Sequence, residues 1–265
     1  MRGVGLFCDL DGTIGRNHSM PDLYHDLAKG VAKEGKAFRE VKKRFRDYHY
    51  RMGSFREYEK AIVPAFQEML RGRKVAAVQR RAETLAKKNS RIVYVFAREL
   101  LRAARELEIP CFLISGGPEP LVTAVGKRLK CTECLCSAYP HKDGVYTGEA
   151  PEYWMGRKHE GVALLARKHG IDLSRSIAIG DSISDLGMLK LVRWPICFNP
   201  SAELRKDSDA YECRMPHVVE RKDTVYIYVA KSHSREMRHE GGLHDILPAP
   251  LVSELQLRLM EVGYL

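Results

Sequence analysis

No stretch of this chain approaches the eighteen or so consecutive apolar residues that a membrane-spanning helix needs. The opening MRGVGLFCDLDG runs straight into an acidic turn, with no apolar h-region and no small-residue cleavage site, so a cytoplasmic protein is the expectation. Seven cysteines, an odd number without framework spacing, argue against a secreted disulfide scaffold. Only CTECLC clusters them, at Cys131, Cys134 and Cys136, and it lacks a matching second pair. A thiol-rich loop is therefore expected there rather than a zinc site. The late stretch SHSREMRHEGGLHD carries His233, His239 and His244 without acidic or cysteine ligands at fixed spacing, and reads as an exposed loop. Internal repeats, low-complexity tracts and nucleic-acid-binding motifs are also missing.

What the chain does have is a set of short apolar runs, at 3–10, 109–115, 176–180 and 195–199. Helix-period segments separate the last three, from Glu119 to Leu129, Arg157 to His169 and Ser184 to Leu191. Strands apolar on both faces, alternating with helices, predict an α/β fold around a parallel sheet. Ligands of such sheets bind beyond the carboxyl ends of the strands, and Asp9, Ser115 and Asp181 each fall at such an end.

Residues 16–91 are nearly free of strand signals and read as a helical insertion. They hold 20 Lys plus Arg against nine Asp plus Glu, an excess of eleven, whereas the whole chain carries +10. The expected organisation is a core of 1–15 and 93–212, a helical cap of 16–92, and a C-terminal extension of 213–265 made of a strand and a closing helix packed on the core. A cap of this charge would focus positive potential on the entrance and draw in anions. Arg51 and Arg56, among aromatic residues, are the cap's candidate substrate contacts. The runs KKRFR (42–46) and RGRK (71–74) leave nucleic acid or an anionic membrane surface as less favoured partners.

The stretch FCDLDGTIG places Asp9 and Asp11 one residue apart after an apolar run. A carboxylate can attack phosphorus and divide hydrolysis into two steps. Two anions then meet, and a divalent cation with a taste for hard oxygen ligands, Mg²⁺, is the natural neutraliser. GDSISD, with Asp181 and Asp185 four apart, supplies further oxygens. Asp11 points the same way as Asp9 in extended backbone and suits proton transfer, for which burial and neighbouring negative charge would raise its pKa. Gly12 allows close backbone approach to a phosphate. Ser115 and Gly116 in LISGGP form an oxyanion cradle. Lys158 opens a helix, against the macrodipole, which points to a task beyond helix formation. Each feature alone has a plainer reading as a turn, a cap or a solvated side chain. Four of them in order, each ending a strand or opening a helix, favour the joint reading.

DLDGT, SGG, the helix-opening lysine and GDSISD resemble the four motifs of the haloacid dehalogenase superfamily of phosphohydrolases, and most closely its phosphoserine phosphatase branch. DGVYTGEA and FNPSAELR resemble segments of that branch as well. The likeness spans about 4–15 and 93–210. It implies a Rossmann-like core with helices on both faces and an inserted helical cap. It further implies Asp9 as nucleophile, Asp11 as acid and base, and Ser115 and Lys158 as phosphate ligands. Mg²⁺ would be held by Asp9, the main-chain carbonyl of Asp11, and Asp181, with Asp185 assisting. Where that branch carries a glutamate for the substrate amine this chain has His18, and Ser184 stands in place of an asparagine. The implied activity is a phosphatase on a small anionic phosphometabolite, phosphoserine-like or otherwise; a phosphotransferase would use the same residues.

Overall fold

Of the apolar run at 3–10, only Leu6–Cys8 (β1) forms a strand, and all three residues are buried because β1 is flanked on both edges by parallel neighbours. The structure is a computed structural model and describes residues 3–29, 36–154, 156–210, 215–222, 224–230 and 238–264. Four helices follow β1: α1 (Ser19–Leu27), α2 (Lys36–His49), α3 (Phe55–Leu70) and α4 (Val75–Asn89). Next come α5 (Val95–Glu106), β2 (Cys111–Pro118), α6 (Glu119–Leu129), β3 (Glu133–Ser137), and a small hairpin of β4 (His141–Lys142) and β5 (Val145–Tyr146). α7 (Lys158–His169), β6 (Ile177–Gly180), α8 (Leu186–Leu189), β7 (Trp194–Phe198) and α9 (Ala202–Ala210) continue the alternation. β8 (His217–Arg221), β9 (Thr224–Ala230), β10 (Arg238–Glu240) and α10 (Ala249–Glu261) close the chain.

Among the described residues, eight strands form one sheet in the order β10-β9-β8-β7-β6-β1-β2-β3. The run from β3 through β8 is parallel, and β9 and β10 add antiparallel strands at one edge. The expected α/β fold is thus present. Two apolar clusters flank the sheet. One gathers Phe7, Phe112, Ile114, Val162 and Leu165; the larger holds Leu6, Cys8, Leu113, Phe96 and Phe198. Successive residues of β1 divide between them, as the period of two along a strand requires.

Two local expectations are corrected. CTECLC is not a loop: Cys134 and Cys136 lie on the edge strand β3, with Leu113 paired to Cys134. Its short, part-polar pattern hid the strand. No metal-ligating cluster includes a cysteine among the described residues, whose cysteines are all free. Among the described residues the C-terminal region supplies β8, β9 and β10 where one strand was expected; on β8 a buried glutamate, Glu220, disguises the strand in the sequence. His233 lies outside the described residues, as does the side chain of His239; His244 is exposed. α10 buries Leu251, Val252, Leu255 and Leu259, one helical face.

The helices after β1 are built from ordinary signals. Ser54 caps α3, accepting the Glu57 N–H at 3.2 Å while the Glu57 carboxylate takes the Ser54 N–H at 2.9 Å. Tyr58, Ile62, Ala65, Phe66 and Leu70 form the buried stripe of that helix. Small residues, Ala82 and Ala86, let α4 lie closely against its neighbours. Asn89 at its end donates to Asp22 of α1 at 2.8 Å. The turn between α3 and α4 is stitched to the β4–β5 hairpin: Gly72 N–H to Tyr146 O (2.9 Å), Tyr146 N–H to Arg73 O (3.0 Å) and Val75 N–H to Gly144 O (2.8 Å).

Candidate active site

Asp9 is the first residue beyond β1, and its N–H donates to Ile179 O of β6 at 3.0 Å, which aims the carboxylate out of the carboxyl edge of the sheet. β2 on one side brings Ser115, and β6 on the other brings Asp181. Lys158, the first residue of α7, reaches this point from above the strands. Its ammonium donates to Asp9 Oδ1 at 2.6 Å and to Asp185 Oδ1 at 2.5 Å. A lysine disfavoured by the helix dipole is thus held by two carboxylates that outweigh it.

Asp185 is fully buried. Its second oxygen accepts the N–H groups of Asp181 (3.1 Å) and Ser182 (2.9 Å) and the Ser182 hydroxyl (3.0 Å). It therefore fixes both Lys158 and the turn that presents Asp181. Thr13 donates to Asp9 Oδ2 at 3.0 Å and reaches Asp181 at 3.4 Å. Ser19 at the start of α1 gives Asp11 two bonds, N–H to Oδ1 at 2.9 Å and hydroxyl to Oδ2 at 2.5 Å. Gly12 has φ +83°, and a Cβ there would collide with the Asp181 carboxylate, so only glycine fits. Ser115 is buried, and its hydroxyl accepts the Gly117 N–H at 3.0 Å.

Charge is unbalanced at this centre. Asp9, Asp181 and Asp185 bring carboxylate oxygens within 4.8 Å of one another against the single ammonium of Lys158. Burial pushes Asp9 up to about 7, with Asp185 and Asp11 adding to it and Lys158 opposing. Asp181 is raised by burial and by the charges of Asp9 and Asp185. Burial works against the Lys158 ammonium, but Asp185 and Asp9 override it and raise its pKa. Burial lifts Asp11 to about 6, held back by the Ser19 bonds. Excess negative charge on hard oxygens is the donor chemistry that suits a small divalent cation, so these residues fit one.

A cavity of about 510 Å³ opens above these groups. Asp9, Asp11, Gly12, Ser115, Gly116, Lys158 and Asp181 line it together, with Ser184 and His18 on its walls; Asp185 lies beneath. The His18 imidazole is lowered in pKa by burial, against the charges of Asp9, Asp22 and Glu59. Arg51 is not brought in. It is exposed at a left-handed position (φ 61°) after α2 and does not line the cavity. The Arg56 side chain lies outside the described residues. Among the described residues of α1 to α4, none of the Lys or Arg side chains lines the cavity, and Glu59 of α3 does. Of the insertion's described cations, Arg16 alone lines the cavity, while Lys60 lines an adjoining pocket that shares Glu59 and Ser184 with it.

Thr13, Ser19, Arg16, Glu59 and Asn199 are the residues the sequence reading passed over. Thr13 stood inside the quoted motif. Ser19 carried a signal too, as a hydroxyl residue opening a helix within reach of an acidic turn.

A family model for haloacid dehalogenase-like hydrolases matches residues 6–190. A Mycobacterium tuberculosis protein named probable phosphatase is 31% identical over 127 residues, covering 48% of this chain and 44% of that protein. A phosphoserine phosphatase of the same organism is 32% identical over 111 residues, covering 41% of this chain and 36% of that one. The chain thus spans less than half the length of these curated relatives. In structure, it resembles a phosphoserine phosphatase solved as a phospho-aspartyl intermediate analogue, with a TM-score of 0.56 at 19% identity, covering 84% of this chain and 95% of that one. At that identity the likeness shows a shared fold.

Proposed function

The chain belongs to the haloacid dehalogenase-like hydrolase family, and on that premise we propose that it is a Mg²⁺-dependent phosphomonoester phosphatase that passes through an aspartyl-phosphate on Asp9. The supporting observation is the setting of Asp9: a buried carboxylate at the mouth of β1, held by Lys158 and Thr13 and facing a cavity of about 510 Å³. In this reading residues 1–15 and 93–212 are the catalytic core, and 16–92 is the cap that bounds the leaving group.

The phosphoryl oxygens rest on the Ser115 hydroxyl, the Gly116 N–H and the Lys158 ammonium. An Asp9 oxygen forms a bond to phosphorus as the bond to the leaving oxygen breaks, and Asp11 delivers its proton to that oxygen. Asp11, now a carboxylate, takes a proton from water as the water oxygen bonds to phosphorus. The Asp9–phosphorus bond breaks, and inorganic phosphate and the Asp9 carboxylate are released. A pKa near 6 lets Asp11 serve as both acid and base near neutrality. Asp9, Asp181 and the main-chain carbonyl of Asp11 would hold Mg²⁺, which would supply the positive charge that carboxylates and phosphate together need. Asp185, with both oxygens committed to Lys158 and to the turn at Asp181–Ser182, positions these groups.

The substrate class is a small phosphorylated metabolite, with phosphoserine a candidate through the relatives' names. Acid quench during turnover of an aryl phosphate should leave phosphate covalently bound to the wild-type chain in the presence of Mg²⁺. Full turnover in a chelator, or no protein-bound phosphate during rapid turnover, overturns the reading.

A further inference from the structure

Among the described Lys and Arg side chains, only Lys158 and Arg16 line the cavity. Lys158 donates to Asp9 and Asp185, is almost fully buried, and in the phosphatase reading has its remaining donor on the transferred phosphoryl group. Arg16 is placed differently. Its Nη2 donates to Glu220 Oε1 at 2.7 Å, while 44% of its side chain remains exposed. The guanidinium carbon lies 4.9 Å from the centroid of the Tyr94 ring, another wall residue.

The partner beneath it is rigid. The Glu220 side chain, on β8, is 1% exposed and does not line the cavity. Its other oxygen accepts the Phe96 N–H at 2.8 Å, and its own N–H donates to Asn199 Oδ1 at 2.9 Å. The backbone around Arg16 is tied as well: Arg16 N–H to Ile92 O at 3.1 Å and Tyr94 N–H to Ile14 O at 2.9 Å. A buried carboxylate requires a cation, and that need alone would be met best by an enclosed partner. Here the cation is instead anchored at one nitrogen and stacked on an aromatic face. The rest of a fork with five N–H donors stands at an open cavity wall. Glu59 and Ile62 form the part of the cavity wall contributed by α3, so a negatively charged group is favoured at Arg16 over that wall.

We propose that Arg16 binds a second anionic group of the substrate, a carboxylate or a further phosphate on the leaving-group side, and that Glu220 is the positioning residue that aims it. The proposal rests on the phosphatase reading for the first phosphate site. It also gives the C-terminal strands a part in recognition, since β8 delivers Glu220.

Equilibrium binding of three non-hydrolysable ligands, measured by titration calorimetry with Mg²⁺, tests it without turnover. Propylphosphonate carries one anionic group, 3-phosphonopropionate adds a carboxylate, and propane-1,3-bisphosphonate adds a second phosphonate. The wild type should favour at least one doubly anionic ligand over propylphosphonate by about tenfold to a hundredfold, and the favoured one identifies the second group. Arg16→Gln should bring that ratio close to one, and Arg16→Lys should keep part of it as a point charge without the fork. Glu220→Gln, which keeps an acceptor for Phe96, should lower the same ratio; a merely structural Glu220 would lower the melting temperature and leave the ratio alone. A ratio near one in the wild type, or one unchanged in Arg16→Gln, overturns the subsite. Turnover of 4-nitrophenyl phosphate by the same preparations, whose leaving group has no second anionic substituent, reports separately on the phosphatase reading.

Discussion

Lys158 and Lys42 are the same residue in opposite circumstances. Lys158 is 3% exposed, and its two short bonds to Asp9 and Asp185 tie three chain segments together. Lys42 stands exposed on α2 beside Lys43 and close to Arg46, on a helix whose Arg44 pairs with Glu40 at 2.7 Å in open solvent. At the strand tips, burial strengthens every charge interaction and moves the pKa values of Asp9, Asp11 and Asp181. On the helix face, water and salt screen the same kind of charge to almost nothing. The excess of eleven positive charges in residues 16–91 is therefore a poor guide to the field inside the cavity. The charges that line the cavity are the carboxylates of Asp9, Asp11, Asp181 and Glu59 and the cations of Lys158 and Arg16.

The contrast can be broken most directly at Asp9, the proposed nucleophile. Asp9→Asn should reduce kcat by about a thousandfold or more, with an unchanged circular dichroism spectrum. Substantial remaining turnover would remove Asp9 from its role. Lys158→Met should cost about 3 kcal/mol in urea unfolding, because Asp9 and Asp185 would lose their shared cation inside the fold. A loss below about 0.5 kcal/mol would place Lys158 with the solvated lysines after all. Ser19→Ala acts more gently. The Ser19 hydroxyl bond lowers the Asp11 pKa, so its removal should raise that pKa above about 6. The limb of the rate–pH profile that reports Asp11 should move to higher pH by about half a unit to one unit. A shift to lower pH would contradict the assigned hydrogen bond. Smallest of all should be the triple change Lys42→Gln, Lys43→Gln and Arg46→Gln. It should alter stability by about 0.5 kcal/mol or less and kcat/KM by less than about twofold. A tenfold fall in kcat/KM would show that the outer helix face reaches the chemistry.

Asp9, Asp11, Ser115, Lys158 and Asp181 were legible in the chain because each belongs to a short local pattern, an apolar run that stops or a helix that begins. Their convergence followed from the rule that parallel sheets gather their functional groups at one edge. Arg51 was misplaced for the opposite reason. The end of α2 turns through a left-handed residue, and no local pattern says toward which side its neighbours point. Arg16 and Glu220 were invisible as a pair, because 204 positions separate them and β8 had to be recognised as a strand first. β3 escaped since cysteine, glutamate and serine on an edge strand lack the apolar signature of a central strand. Sequence reads chemistry well where backbone and side chain share one local cause, and poorly where a distant strand supplies the partner.

The seam between the α3–α4 turn and the β4–β5 hairpin bears on how a substrate gains entry. Helices inserted at one point in a chain can swing as a rigid lid about the two strands of backbone that connect them. Here three further backbone bonds, at Gly72, Tyr146 and Val75, fasten the far end of that bundle to a different stretch of chain. Rocking of the whole bundle would have to break or drag that fastening. Tyr48 of α2 and Glu59 of α3, which border the cavity, lie toward the other end of these helices, where an opening would leave the seam intact. The amides of Gly72, Tyr146 and Val75 should then exchange with solvent slowly and together, marking the seam along which the bundle is held.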